Sequence, residues 1–296
     1  MFLGGARWLR IGSSSAKLAA PPGSFAPAIH HAAPPGPMKT KRLTTGTVLA
    51  WLTAMDNALM LGLQTQRVLQ RRMDVAANNL ANVSTSGFKA DTLLLEEADR
   101  TAAHADADPR EIRFVRDIGI MHGMDQGPIA MTGNPLDVAI EGDGFFMVEG
   151  VGGETQYTRD GAFSLTGDGR LVTSDGRAVL DSGGASIVLD PQGESPVIGR
   201  DGVIRVAGVE AGRIGVVGFA APGALSKVGD NLWDAQGQQP GAFEGVVVQG
   251  ALEGSNVRPV LELTRLIEIS RAYASASRIV SGADDLRKTA IERLGR

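Results

Sequence analysis

Residues 156–180 read QYTRDGAFSLTGDGRLVTSDGRAVL, and this stretch decides the fold class. Short apolar or β-branched runs, Gln156–Thr158, Ala162–Leu165, Leu171–Thr173 and Ala178–Leu180, are cut by Asp160-Gly161, Gly167-Asp168-Gly169 and Ser174-Asp175-Gly176. Asp-Gly between apolar runs marks a hairpin, because glycine enters positive φ without a steric penalty. The punctuation continues on both sides, through Phe145–Val148, Ile187–Leu189, Val203–Val206, Arg213–Phe219 and Val246–Val248, with a further Asp201-Gly202 joint. With 39 glycines and only 5% aromatic residues, the region from about Ile112 to Leu252 reads as a Gly-rich antiparallel β domain.

The pattern changes at both ends. From Asp56 to Val83, Leu69, Met73, Ala76, Leu80 and Val83 recur at alternating spacings of four and three, one stripe down a helix. Gly87 follows as a helix stop. From Pro259 to about Leu294 the same spacing returns in Leu266, Ile269, Tyr273, Ala276, Val280 and Ala283, a heptad-like seam. Pro259 suits a first helical turn, where its missing N–H leaves nothing unpaired. The predicted fold is α+β: an antiparallel β domain flanked by N- and C-terminal amphipathic helices. Neither helix buries its stripe alone, so the ends are expected to pair as a coiled-coil-like bundle, with one another or with copies of the chain.

The expected division is a disordered extension over 1–54, an N-terminal assembly helix and motif over 55–90, a central β domain with a connecting segment over 91–252, and a C-terminal assembly helix over 253–296. Pro21-Pro22, Pro34-Pro35 and Ser13-Ser14-Ser15 preclude a regular element near the start. Met55 is read as the true start, a genuine extension being the alternative. Leu43–Ala54 behind Lys39, Lys41 and Arg42 has the look of a short signal peptide, without a clear cleavage site.

Composition excludes several functions. A net charge of -4 argues against nucleic acid, whose phosphates require a basic face. The absence of cysteine removes disulfides, thiolate metal sites and cysteine nucleophiles. Gly142-Asp143-Gly144 and the other Asp/Gly turns lack calcium-loop spacing. His104 and His122 stand apart from other ligand types, and His30 and His31 fall in the extension. No nucleophile elbow or phosphate loop occurs. Glu96/Glu97 and Asp284/Asp285 read as solvated pairs. No catalytic, metal or cofactor residue is assigned; a carboxylate hydrolase and an extracellular β-rich binding module stay as alternatives.

Met73–Lys89, MDVAANNLANVSTSGFK, resembles the N-terminal motif of flagellar axial proteins of the rod and hook class, with Asn78, Asn79, Asn82, Ser86, Gly87 and Phe88 in place. An Asn-rich frayed helix end is the plain alternative. Asn134–Met147 (NPLDVAIEGDGFFM) and Tyr157–Phe163 (YTRDGAF) resemble the opening of that family's β domain. Leu252–Val257 (LEGSNV) with Leu261–Tyr273 (LELTRLIEISRAY) resembles its C-terminal motif. Within the flagellar basal-body rod family the chain looks most like the proximal rod member, a distal rod or hook subunit being the alternative. Gly254, where distal rod and hook members often carry Ala, and the lack of Glu-Ala-Asn after Tyr273 weigh against the latter.

The resemblance implies a structural subunit without enzymatic activity, located in the basal-body rod across the periplasm. Its partners would be copies of itself, other rod proteins and the flagellar type III export apparatus, with no nucleic acid and no small-molecule substrate. Its assembly interface would use the two seams together with Asn78, Asn79, Asn82, Gly87, Phe88, Ser255, Asn256 and Val257.

Overall fold

The computed structural model describes residues 45–100, 112–229 and 231–294. Helix α1 (Thr45–Ala81) opens this region and helix α2 (Pro259–Leu294) closes it. Between them, β1 (Asp91–Arg100) and β2 (Ile112–His122) form a long hairpin with a bulge at Leu94/Leu95. Then come β3 (Ile129–Met131), β4 (Val138–Gly142), β5 (Phe145–Glu149) and β6 (Thr155–Thr158), followed by further short strands up to Ala251–Glu253. The widest sheet runs in the order Val216–Val217, β5, β6, Leu232–Asp234, Ser226–Gly229. All its pairings are antiparallel, as are those of β4 with Gly245–Gln249 and β3 with Ala251–Glu253. The chain is α+β, as its punctuation predicts.

Strand alternation builds the core. Successive side chains on a strand face opposite ways, and Phe145 and Phe146 on β5 feed two different clusters. Phe146 joins Val138, Ile140, Leu171, Ile204 and Ile214, while Phe145 joins Tyr157, Phe219, Leu225 and Trp233. Edge-to-face contacts, Phe146 on Phe163 at 5.1 Å and Tyr157 on Phe219 at 4.8 Å, each add about 0.5–1.5 kcal/mol beyond burial.

Most Asp-Gly joints are the tight turns expected. The Gly169, Gly176 and Gly202 amides close turns onto Thr166, Thr173 and Gly199 carbonyls at 2.9, 3.0 and 2.9 Å. Asp160-Gly161 is different: β6 pairs with β5 and Leu232–Asp234, not with Ser164–Leu165. That dipeptide crosses between sheets, which turn chemistry alone does not distinguish from a hairpin. The strand Asp91–Arg100 also departs from expectation. Glu96 and Glu97, read as a solvated pair, lie on β1, where pairing with β2 overrides their low strand propensity.

α2 spans the predicted range with Pro259 at its start. α1 begins at Thr45, ten residues before Met55, because the proline-free, Leu- and Ala-rich run continues the helix upstream. The rest of the expected extension, 1–44, lies outside the described residues, as do His30, His31 and His104. Among the described residues no helix is long and apolar enough to cross a membrane.

The helices lie against each other in antiparallel sense. Gly62 faces Val280, and nearer the β region Leu69 and Ala76 share a groove with Ile269 and Glu262. On α2 the sheltered positions include Glu262, Leu266, Ile269, Tyr273, Ala276, Val280 and Ala283, and on α1 they include Leu59, Gly62, Gln66, Leu69, Met73 and Ala76. Both series alternate three and four. A Cβ on Gly62 would stand 2.5 Å from Val280 Cγ2, so glycine there permits the close approach.

Candidate functional site

Three separated segments meet where the helices join the β region: Ser86–Asp91 after α1, the Arg159–Gly161 crossing, and Glu253–Val257 before α2. Gly87 starts the meeting. α1 has already ended at Ala81, so Gly87 is not its cap. Its φ of 64° and its position against the Arg159–Asp160 peptide, which a Cβ would strike, are the reasons for glycine. Its N–H donates to the Glu253 carbonyl at 2.8 Å.

Glu253 is the hub. Its Oε1 accepts from Lys89 Nζ and from the Gly127 amide, each at 2.8 Å, and its Oε2 accepts from Arg159 at 3.2 Å. The Lys89, Glu253 and Arg159 side chains are exposed by only 1%, 1% and 2%. Lys89 also donates to the Asp125 carbonyl at 2.8 Å. Burial lowers the Lys89 pKa, an effect Glu253 opposes and Arg159 reinforces. Burial likewise lowers that of Arg159 against the pull of Glu253. Arg159 lies over the Phe145 ring at 5.0 Å, and its Nε has no partner. Two cations thus share one anion out of contact with water.

Amides and hydroxyls complete the joint. Asn79, 1% exposed, holds both backbone groups of Asp91: Nδ2 donates to its carbonyl and Oδ1 accepts its N–H, each at 2.8 Å. The side chain imitates a neighbouring strand and welds α1 to β1. Asn256 performs the same service from the other end, accepting from the Ala90 amide at 2.8 Å and donating to the Gly123 and Asp125 carbonyls at 2.7 and 2.9 Å. Ser86 donates to Asp160 at 2.5 Å. Burial raises the Asp160 pKa, an effect the Ser86 bond opposes.

At the hairpin base Asp91 receives His122 Nδ1 at 2.7 Å and Lys227 at 3.4 Å. His122 meets the Trp233 ring edge-on at 4.8 Å, and Lys227 sits 4.1 Å above the Phe88 ring. Burial pushes the Asp91 pKa up, but His122 and Lys227 together hold it below the usual carboxylate range. His122, isolated in sequence, is therefore tied into a structural cluster; no group of metal-binding side chains occurs among the described residues.

The predicted interface residues divide between two places. Leu69, Met73, Ala76, Leu266, Ile269, Tyr273, Ala276 and Val280 lie on the sheltered helical faces. Asn79, Gly87, Phe88, Ser255, Asn256 and Val257 belong to the joint within one chain, with Asn82 beside it, donating to the Asn78 carbonyl at 2.9 Å. Leu80 and Val83 are half-buried and Asn78 is exposed. Lys89, Arg159 and Glu253 escaped sequence reading, because charged residues are ordinarily solvated. Their location inside three separate motifs was the available signal. Outside the seam, Met60, Ile267, Ile279 and Leu286 are 62%, 54%, 69% and 66% exposed.

A β body flanked by two helices that touch each other and leave apolar residues exposed has the kind of surface that a neighbouring molecule covers. Comparison with known proteins gives the class. Residues 59–89 match the family model "Flagella basal body rod protein", 139–206 match "Flagellar hook protein FlgE/F/G D1 domain", and 248–293 match "Flagellar basal body rod FlgEFG protein C-terminal". The chain is 41% identical over 245 residues to flagellar basal-body rod protein FlgF of Caulobacter vibrioides, covering 82% of this chain and 99% of that protein. It is 34% identical to FlgF of Mesorhizobium japonicum, over 81% of this chain and 99% of that protein. It is also 34% identical to flagellar basal-body rod protein FlgG of Bacillus subtilis, over 78% and 97% respectively. The chain belongs to the flagellar basal-body rod protein family and is FlgF-like. It is a structural subunit of the bacterial flagellar basal-body rod, assembles with other rod components, and is not an enzyme.

Proposed function

We propose that this subunit polymerises through its terminal helices, which form a coiled-coil-like bundle with one another and with those of neighbouring copies and other rod proteins, to transmit torque. The observation carrying this reading is the pair of helical faces. One face alternates three and four and is sheltered; the other leaves Val260, Ile267, Ile279 and Leu286 exposed by 73%, 54%, 69% and 66%. Surface of that kind gains free energy only when a neighbour covers it. The working division is 55–90 and 253–296 for assembly, with 91–252 as the outward body. The seam residues named above, with Asn78, Leu80 and Val83, form the interface. The flagellar type III export apparatus delivers the chain without cleavage.

Stiffness in this reading comes from many shared contacts, not from a site. A helix with half its core missing is marginal in water, so neighbours complete it. The test is Ile269→Asp. It should prevent incorporation into basal bodies in cells lacking the unmodified copy while the purified protein keeps its β circular dichroism signal. Normal incorporation of the variant would refute the helical interface.

A further inference from the structure

The joint contains a charge imbalance that neither the rod assignment nor the helical interface requires. Lys89 and Arg159 are buried to 1% and 2% exposure with one carboxylate, Glu253, between them. Asp125 and Asp143 attract Lys89 and Arg159 respectively, but more weakly than Glu253 does. The three charges come from distant parts of the chain. Glu253 lies 164 residues from Lys89 and 94 from Arg159. Lys89 follows the N-terminal helix, Arg159 belongs to the β body, and Glu253 precedes the C-terminal helix.

Removing each member has a different consequence. Without Lys89, Arg159 and Glu253 remain as a balanced pair. Without the Glu253 carboxylate, two like charges face each other in a dry site, and the Gly127 amide loses its acceptor, while the Gly87 amide keeps the Glu253 backbone carbonyl. An uncompensated buried charge is far more unfavourable than a missing member of a balanced set. We propose that Glu253 acts as a coincidence lock: the N-terminal helix end and the β body seat on each other only when the C-terminal motif has placed this carboxylate between Lys89 and Arg159. Until then the two cations hold the joint open, so the chain does not close on its N-terminal half alone.

The lock concerns the free chain and stands apart from the assembly reading. Hydrogen exchange on the full-length protein tests it. Glu253→Gln keeps the shape and one acceptor oxygen but turns an NH2 group toward Arg159. Protection of the Gly87, Gly127 and Ala90 amides should fall at least about 100-fold. Lys89→Met should lower it less than about 10-fold, since the remaining pair is balanced. Adding Lys89→Met to Glu253→Gln should restore part of the loss, because one of the repelling cations is gone. The Met147 amide, bonded to Gly215 at 2.9 Å inside the β body, should keep its protection throughout. Equal losses from Lys89→Met and Glu253→Gln, no restoration in the double variant, or a matching loss at Met147 would each overturn the proposal.

Discussion

Replacing Asn79 by leucine isolates the contribution of one amide to the joint. Both side chains branch at Cγ and leucine is the larger, so no cavity forms, and the change falls chiefly on two hydrogen bonds of 2.8 Å to Asp91. Residue 79 is 1% exposed and Asp91 is 9% exposed, so water reaches neither orphaned backbone group freely. Each buried group left without a partner costs about 1–3 kcal/mol. Two of them give about 2–6 kcal/mol, which the added apolar burial of leucine reduces to about 3 kcal/mol. At about 1.4 kcal/mol per decade, the opening equilibrium of the helix–hairpin junction should rise about 100-fold. The Asp91 amide, which donates to Asn79 itself, reports this directly by hydrogen exchange, and Met147 serves as the control. An Asp91 amide within about threefold of its original protection would refute the reasoning, the margin being about 0.7 kcal/mol on the same scale. A loss shared equally by Met147 would show that α1 and the β body open as one unit.

Gly87→Val should destabilise the protein by at least about 3 kcal/mol, since positive φ and a Cβ against the Arg159–Asp160 peptide act together. Calorimetry should show the melting temperature falling by about 6–12 °C; an unchanged value would mean that this contact relaxes freely. Asp91, whose folded pKa is depressed, adds stability that is fully present above the ordinary carboxylate value and lost as pH falls through the depressed one. The hairpin base should therefore loosen below about pH 4. Lys227→Met should move that loosening to higher pH, and exchange rates at Gly123, whose amide donates to Ala90 at 2.8 Å, would follow it.

The β body and α2 were legible because their signals are local. Asp-Gly turns and a three-four repeat report conformation within a few residues, and the Gly167–Gly169 turn and the Pro259 start are where the pattern places them. The joint was not legible in the same way. Many of its bonds link positions 74 to 166 residues apart, and nothing at Lys89 or Glu253 announces that water has been excluded. Asn79 shows the limit most sharply. Propensity marks it as a poor helix former and suggests that it serves some contact, but whether that contact is a neighbouring chain or the first residue of β1 depends on where the chain turns after Ala81. Asp160-Gly161 fails for the same reason: a local turn signal does not say which sheet the next residue enters.

The composition of the joint also bears on mechanics. An apolar interface alone resists separation but not sliding, because burial is insensitive to direction. Hydrogen bonds weaken steeply when their angles change, so a surface held by Asn79, Asn256, Ser86 and Glu253 resists rotation as well. The two kinds of contact are segregated in this chain. The helical faces carry apolar residues in repeating register, and the joint carries buried amides and charges with fixed partners. In the proposed assembly, neighbouring helices exchange apolar contacts as they pack, while the polar joint keeps each β body at a set angle to its own helices. A subunit with apolar residues throughout the joint would bury comparable surface yet leave that angle soft. The buried ionic trio, a weak device for stability, is a strong one for orientation.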